Sequence, residues 1–357
     1  MHSACITDTK SHSFNRTKEK VIQKSQPMKK IVIFILCFYS CHITFCQVIK
    51  GKVFDTSTHK TINSASIYFN GTFVGTTSDN EGNFELDISK NKHIPLTVSA
   101  IGYYSVNLVQ LSEDKTIKVM LSPKSYVIDE LKVKAKSLKR KKNICMKVFK
   151  EEFLGSDYEA MKCEIENEND ITFNYDSDYD TLIAYARNPI RILNKEMGYK
   201  ITYYLDKFVY CWKDLNTVYE GNLLFQDMAA VEGNQKQIFN KMRFSVYQGS
   251  RMQFFRSLWA DSLISTQFSL KNEFGNVVRV KDIVKQINGN KYLSYPNKIT
   301  VNYDKKTSQL IFLNKLIYFD KSGYFEGSSI SWSGEMGRQR IADTLPNEYV
   351  VLDSDLE

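Results

Sequence analysis

Histidine is scarce in this chain of 357 residues: there are five, at 2, 12, 42, 59 and 93, and none after residue 93. That excludes a Ser-His-Asp or Cys-His site in the later part of the chain, because such sites use an imidazole as general base. A catalytic zinc centre of the usual kind needs at least two histidines among its ligands. No H-E-x-x-H, no phosphate-cradling G-x-x-x-x-G-K-[ST] and no strand-to-helix G-x-G-x-x-G occurs, so no motif asks for a metal or cofactor and none is expected. Cysteine is also thin once the first 46 residues, which hold four of the seven, are set aside. Cys145, Cys163 and Cys211 remain. They permit one disulfide, Cys163 to Cys211, and one free thiol, but no disulfide scaffold. The formal charge of +8 is equally front-loaded. Residues 1–46 carry seven Lys or Arg against two acids, leaving 41 basic against 38 acidic side chains in the rest. An excess this small lacks the concentrated basic face that nucleic acid requires.

Long apolar runs are missing too, with one exception. Met1 to Pro27 is polar and reads as a leader or a mis-assigned start, and from Met28 the chain turns to Lys29-Lys30 followed by Ile31 to Cys46. A charged n-region before a continuous apolar h-region is the pattern of a signal peptide. Its sixteen residues fall short of the roughly 20 that span a bilayer as a helix. The expectation is cleavage near Cys46-Gln47 and an exported, periplasmic or outer-membrane-associated protein with no transmembrane span in its mature chain. Bulky Tyr39 and Phe45 before Cys41 and Cys46 weigh against lipidation.

What the sequence does have is a string of short strands from Val48 to Tyr104. Ile49, Gly51 and Val53 alternate on one face. Ala65, Ile67 and Phe69 do the same before Asn70-Gly71, a dipeptide suited to a tight hairpin with a second strand, Thr72 to Thr77, directly after it. Ser78 to Asn83 is the next turn, with Gly82 at its left-handed position. Phe84, Leu86 and Ile88 resume the apolar face, and Thr116 to Leu121 closes the set before Pro123.

These residues resemble the carboxypeptidase-regulatory-like domain, a transthyretin-like β-sandwich of about seven strands. The resemblance rests on G-x-V-x-D at Gly51 to Asp55, A-x-I-x-F at Ala65 to Phe69, G-T-T-S-D-x-E-G-x-F at Gly75 to Phe84 and I-G-Y at Ile101 to Tyr103. It implies a folding or docking module that carries no catalytic residue, with Gly82, Gly102 and Tyr103 structural. Tyr126 to Ala135 resembles the strand by which this module leads into TonB-dependent receptors. The stretch after Ala135 is too short for a plug and a large barrel.

The domain organisation expected is a leader over 1–27, a signal peptide over 28–46, the sandwich over 47–136, a basic linker and helix over 137–154, and an α+β domain over 155–357. Lys139 to Lys142 is the densest basic run after the leader and reads as a solvated linker. A helix from Asn143 to Leu154 would pack through Ile144, Val148, Phe149 and Phe153. Beyond it, runs at 171–175, 181–186, 200–209, 298–303 and 310–313 read as strands of an antiparallel sheet. Asn234 to Tyr247 and Arg251 to Ala260 read as a helical pair covering one side of it, with Gly249 stopping the first helix. Segments such as Phe149 to Ser156, Leu193 to Leu205, Tyr219-Glu220-Gly221 and Arg243 to Ser250 are similar to uncharacterised exported proteins of Bacteroidetes that pair this region with the sandwich.

No catalytic residue stands out. Asp176, Asp178 and Asp180 lack the glycine and terminal glutamate of a calcium loop and read as a hairpin turn. Asp79 and Glu81 beside Gly82 read as a turn also. The best binding candidates are Arg243 and Tyr247, one helical turn apart, with Arg251, Phe255 and Trp259 at the same spacing on the next helix. Such a face suits a peptide or glycan, and the competing arrangement is a helix pair packed on the sheet. Arg256, at the margin of that stripe, is expected to pair with a carboxylate. Together these point to an exported cell-envelope protein acting as a non-enzymatic interaction or assembly module, with an envelope protein, peptide or glycan as partner. A carboxylate-based hydrolase of envelope glycan or peptide is the alternative.

Overall fold

The computed structural model describes residues 47–352, except 110, 112–115, 125–134, 177 and 229–233. The signal-peptide pattern and the run 126–134 lie outside the described residues. No helix among those described is long and apolar enough to cross a membrane.

Seven strands form the N-terminal sandwich: β1 (Val48–Asp55), β2 (Ser66–Phe69), β3 (Gly75–Thr77), β4 (Asn83–Asp87), β5 (Leu96–Ser99), β6 (Val106–Leu108) and β7 (Ile117–Leu121). They make two sheets, β4-β1-β7 and β3-β2-β5-β6, antiparallel except where β7 runs parallel to β1. Period-two alternation sorts their side chains. Ile49, Val53, Ile67, Phe69, Leu86 and Val98 turn inward to one core. The hairpin at Ser78 to Asn83 closes as its residues require, with Asp79 accepting from the backbone of Glu81 and Asn83 and Gly82 at φ +80°. A Cβ on Gly82 would lie 2.9 Å from the Val53 carbonyl oxygen. Gly102 is also left-handed, at φ +84°, but in open space. The adjoining Tyr103 donates its hydroxyl to Asp55 Oδ2 at 2.8 Å, tying the I-G-Y and G-x-V-x-D segments together.

The Asn70-Gly71 turn is not the tight hairpin its sequence suggests. The strand after it begins at Gly75, not Thr72, because Asn70 to Phe73 leaves the sandwich to pair elsewhere.

The second region begins with α1 (Ala135–Phe153), which starts ahead of the basic linker expected from 137 and runs through it as helix. Phe149 and Phe153 are fully buried as expected, but Ile144 is 55% exposed and Met146 takes its place inside. After the short α2 (Tyr158–Met161) come β8 (Cys163–Ile165), β9 (Ile171–Asp176), β10 (Thr181–Ala186), β11 (Ile190–Asn194), β12 (Tyr199–Cys211) and β13 (Asn216–Asp227). These six strands form one antiparallel sheet around the long hairpin β12–β13. Cys163 and Cys211 are not bonded to each other. Cys163 lies by register near Tyr199, and Cys211 ends the same strand. Twelve residues at about 3.3 Å each put the two roughly 40 Å apart, far beyond disulfide reach. Asp176 and Asp180 belong to the β9–β10 turn, where Asp176 accepts from the backbone of Asp178 and Tyr179.

The helical pair α3 (Asn234–Tyr247) and α4 (Arg251–Trp259) does not cover one sheet. Tyr247 of α3 joins the core of the six-stranded sheet, whereas Phe254, Phe255 and Leu258 of α4 fill a separate core. That second core belongs to β14 (Phe268–Lys271), β17 (Ile299–Tyr303), β18 (Lys306–Phe312) and β20 (Ile330–Gly334). Beside them stand α5 (Val280–Ile283) and the small sheet β15 (Val284–Ile287), β16 (Asn290–Leu293) and β19 (Ile317–Phe319). Gly249 separates the two helices at φ +73°, and a Cβ there would sit 2.7 Å from the Tyr303 ring. One further turn, α6 (Glu335–Arg338), leads into an irregular C-terminal segment.

The sandwich is bonded directly to this second region. Gly71 N–H donates to Leu223 O, and Phe225 N–H to Thr72 O, so the turn adds itself to the free edge of β13. Leu223 N–H donates to Asn70 Oδ1, and on the other side Asn347 N–H donates to Gly71 O. Tyr68 stacks on Tyr204 at 4.9 Å, and Lys124 donates to Leu205 O and Asp206.

Asn70→Ala should therefore lower stability by about 1–3 kcal/mol, since it orphans a part-buried N–H. Chemical denaturation should show a single transition moving as a whole. Loss confined to one of two transitions would mean that the junction does not couple the parts. A second expectation concerns acid. The Asp55 carboxyl is held below its ordinary pKa, first by the Thr58 N–H and then by the Tyr103 hydroxyl. A depressed folded-state value contributes stability above the unfolded value near 4, and that stability is lost as pH falls through the folded value. Tyr103→Phe should thus melt below wild type at pH 7, with the gap narrowing as pH falls below 4. A gap that widens in acid would refute the linkage.

Candidate functional site

The five residues expected to form a binding face do not share an exposed surface. Phe255 is fully buried and Tyr247 nearly so, Trp259 is half-buried with Lys291 Nζ 4.8 Å from its ring centroid, and the arginines turn to backbone. Arg243 donates to Met197 O and Asp227 with its guanidinium 4.0 Å from the Tyr199 ring centroid. Arg256 pairs with no carboxylate among the described residues. It donates to Ser322 O and Asn347 O and lies over the Tyr247 ring. The arrangement is a packed one, and its guanidiniums serve carbonyls because the segments they hold have no strand partners of their own.

Where these elements meet the sandwich there is a cleft of about 210 Å³. Five separate segments supply its walls: Asn70-Gly71 of the sandwich turn, Tyr219 and Leu223 of β13, Ser250 to Met252 at the start of α4, Gly323 to Phe325, and the C-terminal stretch from Gln339 to Asn347. Ser250 caps α4 by accepting from Gln253 N–H, which fixes Arg251 at the mouth of the first turn. Arg251 Nε donates to Met336 O, and Nη2 to Met336 O and Gln339 O. Arg340 sits beside it, donating to Glu152 O and Gly337 O with Glu152 Oε2 at 3.6 Å.

The electrostatics of the cleft centre on a part-buried cation. Burial pulls the Arg251 pKa below its ordinary value, opposed by Tyr219 and Asp343. Burial pushes the Tyr219 hydroxyl up, while Arg251 and Arg340 draw it back. Among the described residues Asp343 is the one carboxylate lining the cleft, and its Oδ2 already accepts from Arg340 N–H.

Residues 49–133 match the family model of the CarboxypepD_reg-like domain. No curated protein matches the chain. The CarboxypepD_reg-like domain thus coincides with the sandwich, and the motif residues that carry it are those that hold the sandwich together: Gly82 in its turn and Asp55 with Tyr103. It contributes one wall of the cleft, the Asn70-Gly71 turn.

Sequence reasoning reached Arg251 but missed Arg340, Asp343 and the sandwich turn as its neighbours. Tyr219 was visible only inside the segment Tyr219-Glu220-Gly221. Nothing in their spacing brings 70, 219, 251 and 340 together.

Arg256→Ala should cost about 2 kcal/mol, the scale of hydrogen bonds to a charged group, and Arg256→Lys should recover only part of it because one ammonium cannot serve two separated carbonyls in the same plane. Equilibrium denaturation of the two variants checks this. An unchanged midpoint for Arg256→Ala would refute the structural role.

Proposed function

We propose that this chain is an exported cell-envelope protein acting as a non-enzymatic interaction module, and that the junction cleft is where its partner is held. The leader pattern, Lys29-Lys30 before Ile31 to Cys46, supports export. The observation that carries the binding reading is the cleft itself, assembled from five chain segments around a part-buried guanidinium and lined, among the described residues, by a single carboxylate that is already bonded.

A carboxylate-based hydrolase needs two acids held in one site with their pKa values pushed apart. Among the described residues the depressed carboxyls Asp55, Asp79, Asp170 and Asp282 take their shifts chiefly from backbone or amide hydrogen bonds in turns and caps. The raised one, Glu348, is shifted by burial and does not line the cleft. Binding therefore has the better support.

Filling the cleft separates the two readings. Thr344 lines it and is half-buried. Thr344→Trp should abolish capture of an envelope partner by the tagged full chain while leaving its melting within a few degrees of wild type. Undiminished capture would overturn the cleft as the seat, and hydrolysis of envelope glycan or peptide by wild type, lost in Asp343→Asn, would overturn the non-enzymatic reading.

A further inference from the structure

We infer that the junction cleft takes a compact ligand through its carboxylate, seated between the Arg251 guanidinium and the Tyr219 hydroxyl with an apolar group against Met252 and Phe325. The inference rests on reading the cleft as a binding seat and adds the chemistry of what sits there.

Arg251 Nη1 and the Tyr219 hydroxyl are among the donors of this cleft left over after the protein's own bonds are counted. Arg251 uses Nε and Nη2 on the carbonyls of Met336 and Gln339, and Nη1 makes no protein hydrogen bond among the described residues. The Tyr219 hydroxyl has no protein partner among them either, although it lines the same cleft. No carboxylate among the described residues comes within ion-pair distance of Arg251; the neighbouring Glu152 is taken by Arg340 and Thr217. A charge drawn partly out of water favours a counter-charge beside it, because desolvating an ion without one is costly. Carbonyl dipoles compensate this one in part, and an anion arriving from solution would complete the pairing.

The anion's class follows from the rest of the wall. A guanidinium nitrogen and a phenol present two donors to two oxygens, which suits the planar carboxylate. Asp343 in the same lining repels a second negative charge, so a singly charged carboxylate is favoured over a phosphate dianion. Leu223, Met252, Phe325 and Leu345 supply the apolar side. A space of about 210 Å³ is below the roughly 300 Å³ at which pockets for drug-sized ligands begin. It fits a small acid or the last residue of a peptide.

The test is calorimetric titration of the full chain with N-acetylleucine, its uncharged amide N-acetylleucinamide, a Leu-ended tripeptide as free acid and as amide, and inorganic phosphate. Both free acids should bind at least tenfold more tightly than their amides and than phosphate. A tripeptide acid that outbinds N-acetylleucine identifies a peptide C-terminus as the source, and equal binding identifies a small acid. Tyr219→Phe should weaken the free acids about tenfold, the equivalent of one hydrogen bond to a charged group, without changing the amides or the melting temperature. It is preferred over Arg251→Lys, which also releases the Met336 and Gln339 carbonyls and threatens the fold. Equal binding of acid and amide, phosphate binding as tightly as the acids, or no effect of Tyr219→Phe would each overturn the inference. If the acids fail while partner capture remains sensitive to Thr344→Trp, the carboxylate inference falls and the interaction reading stands. If neither acids nor partner are held, both fall.

Discussion

The turn at Asn70 to Phe73 is the contact on which the rest of this structure depends. An edge strand such as β13 exposes a row of unpaired N–H and C=O groups, and a folded chain has to cover or blunt them. Here the sandwich does it: Gly71 and Thr72 pair with Leu223 and Phe225 on one side, and Gly71 O accepts from Asn347 on the other. The turn is thus held between a sheet edge and the C-terminal segment, with Phe73 against Tyr199 and Phe225. It fixes where the sandwich stands, where the segment around Asn347 stands, and consequently where one wall of the cleft stands.

The C-terminal segment poses an accounting problem that arginine solves. After α6 the chain runs irregularly, so its carbonyls have no ladder to join, and buried carbonyls need donors. Arg251 takes that of Gln339 together with that of Met336 in α6, Arg256 takes that of Asn347, and Arg340 takes those of Gly337 in α6 and of Glu152 at the end of α1. Each guanidinium offers five N–H groups in one rigid plane and can hold two carbonyls at once, which a lysine ammonium on a flexible stem does less well. Three arginines drawn from two distant parts of the sequence thereby tie α1, α4 and the last segment into one body.

How much of this could be read from the sequence varies with how local the cause is. The sandwich was legible because alternation and turn chemistry act within a few residues: Ile49 and Val53 point inward for the same reason anywhere, and Gly82 is needed by its own turn. The helices at 234–247 and 251–259 were legible by period. Their partners were not, because periodicity says which face is apolar and not which of two cores receives it. Asn70-Gly71 misled for a related reason. The dipeptide favours a tight hairpin, yet pairing with β13, more than 140 residues away, supplies bonds that a two-residue turn would forgo. Arg256 was expected to pair with a carboxylate, but its partners are carbonyls of residues 322 and 347, and a backbone acceptor leaves no mark in composition. The cleft combines all these difficulties, since each of its five walls is ordinary when taken alone.

The titratable groups of the same cleft support the proposed binding reading over proton transfer. A general base at neutral pH must titrate near neutrality. Tyr219 moves the other way: burial pushes its hydroxyl above the ordinary tyrosine value against the pull of Arg251 and Arg340. A group with a raised value keeps its proton through the physiological range, so the phenol stands as a donor and not as a base. Arg251, though lowered by burial, starts from a value so high that it stays charged. Asp343 is the remaining titratable group of the lining that could accept a proton, and one of its oxygens already accepts from the Arg340 backbone. On the proposed reading, Arg251 Nη1 and the Tyr219 hydroxyl, with their protons not for transfer, receive an acceptor of hydrogen bonds. On the same reading the Arg251 charge, left without a carboxylate among the described residues, favours an anion as that acceptor.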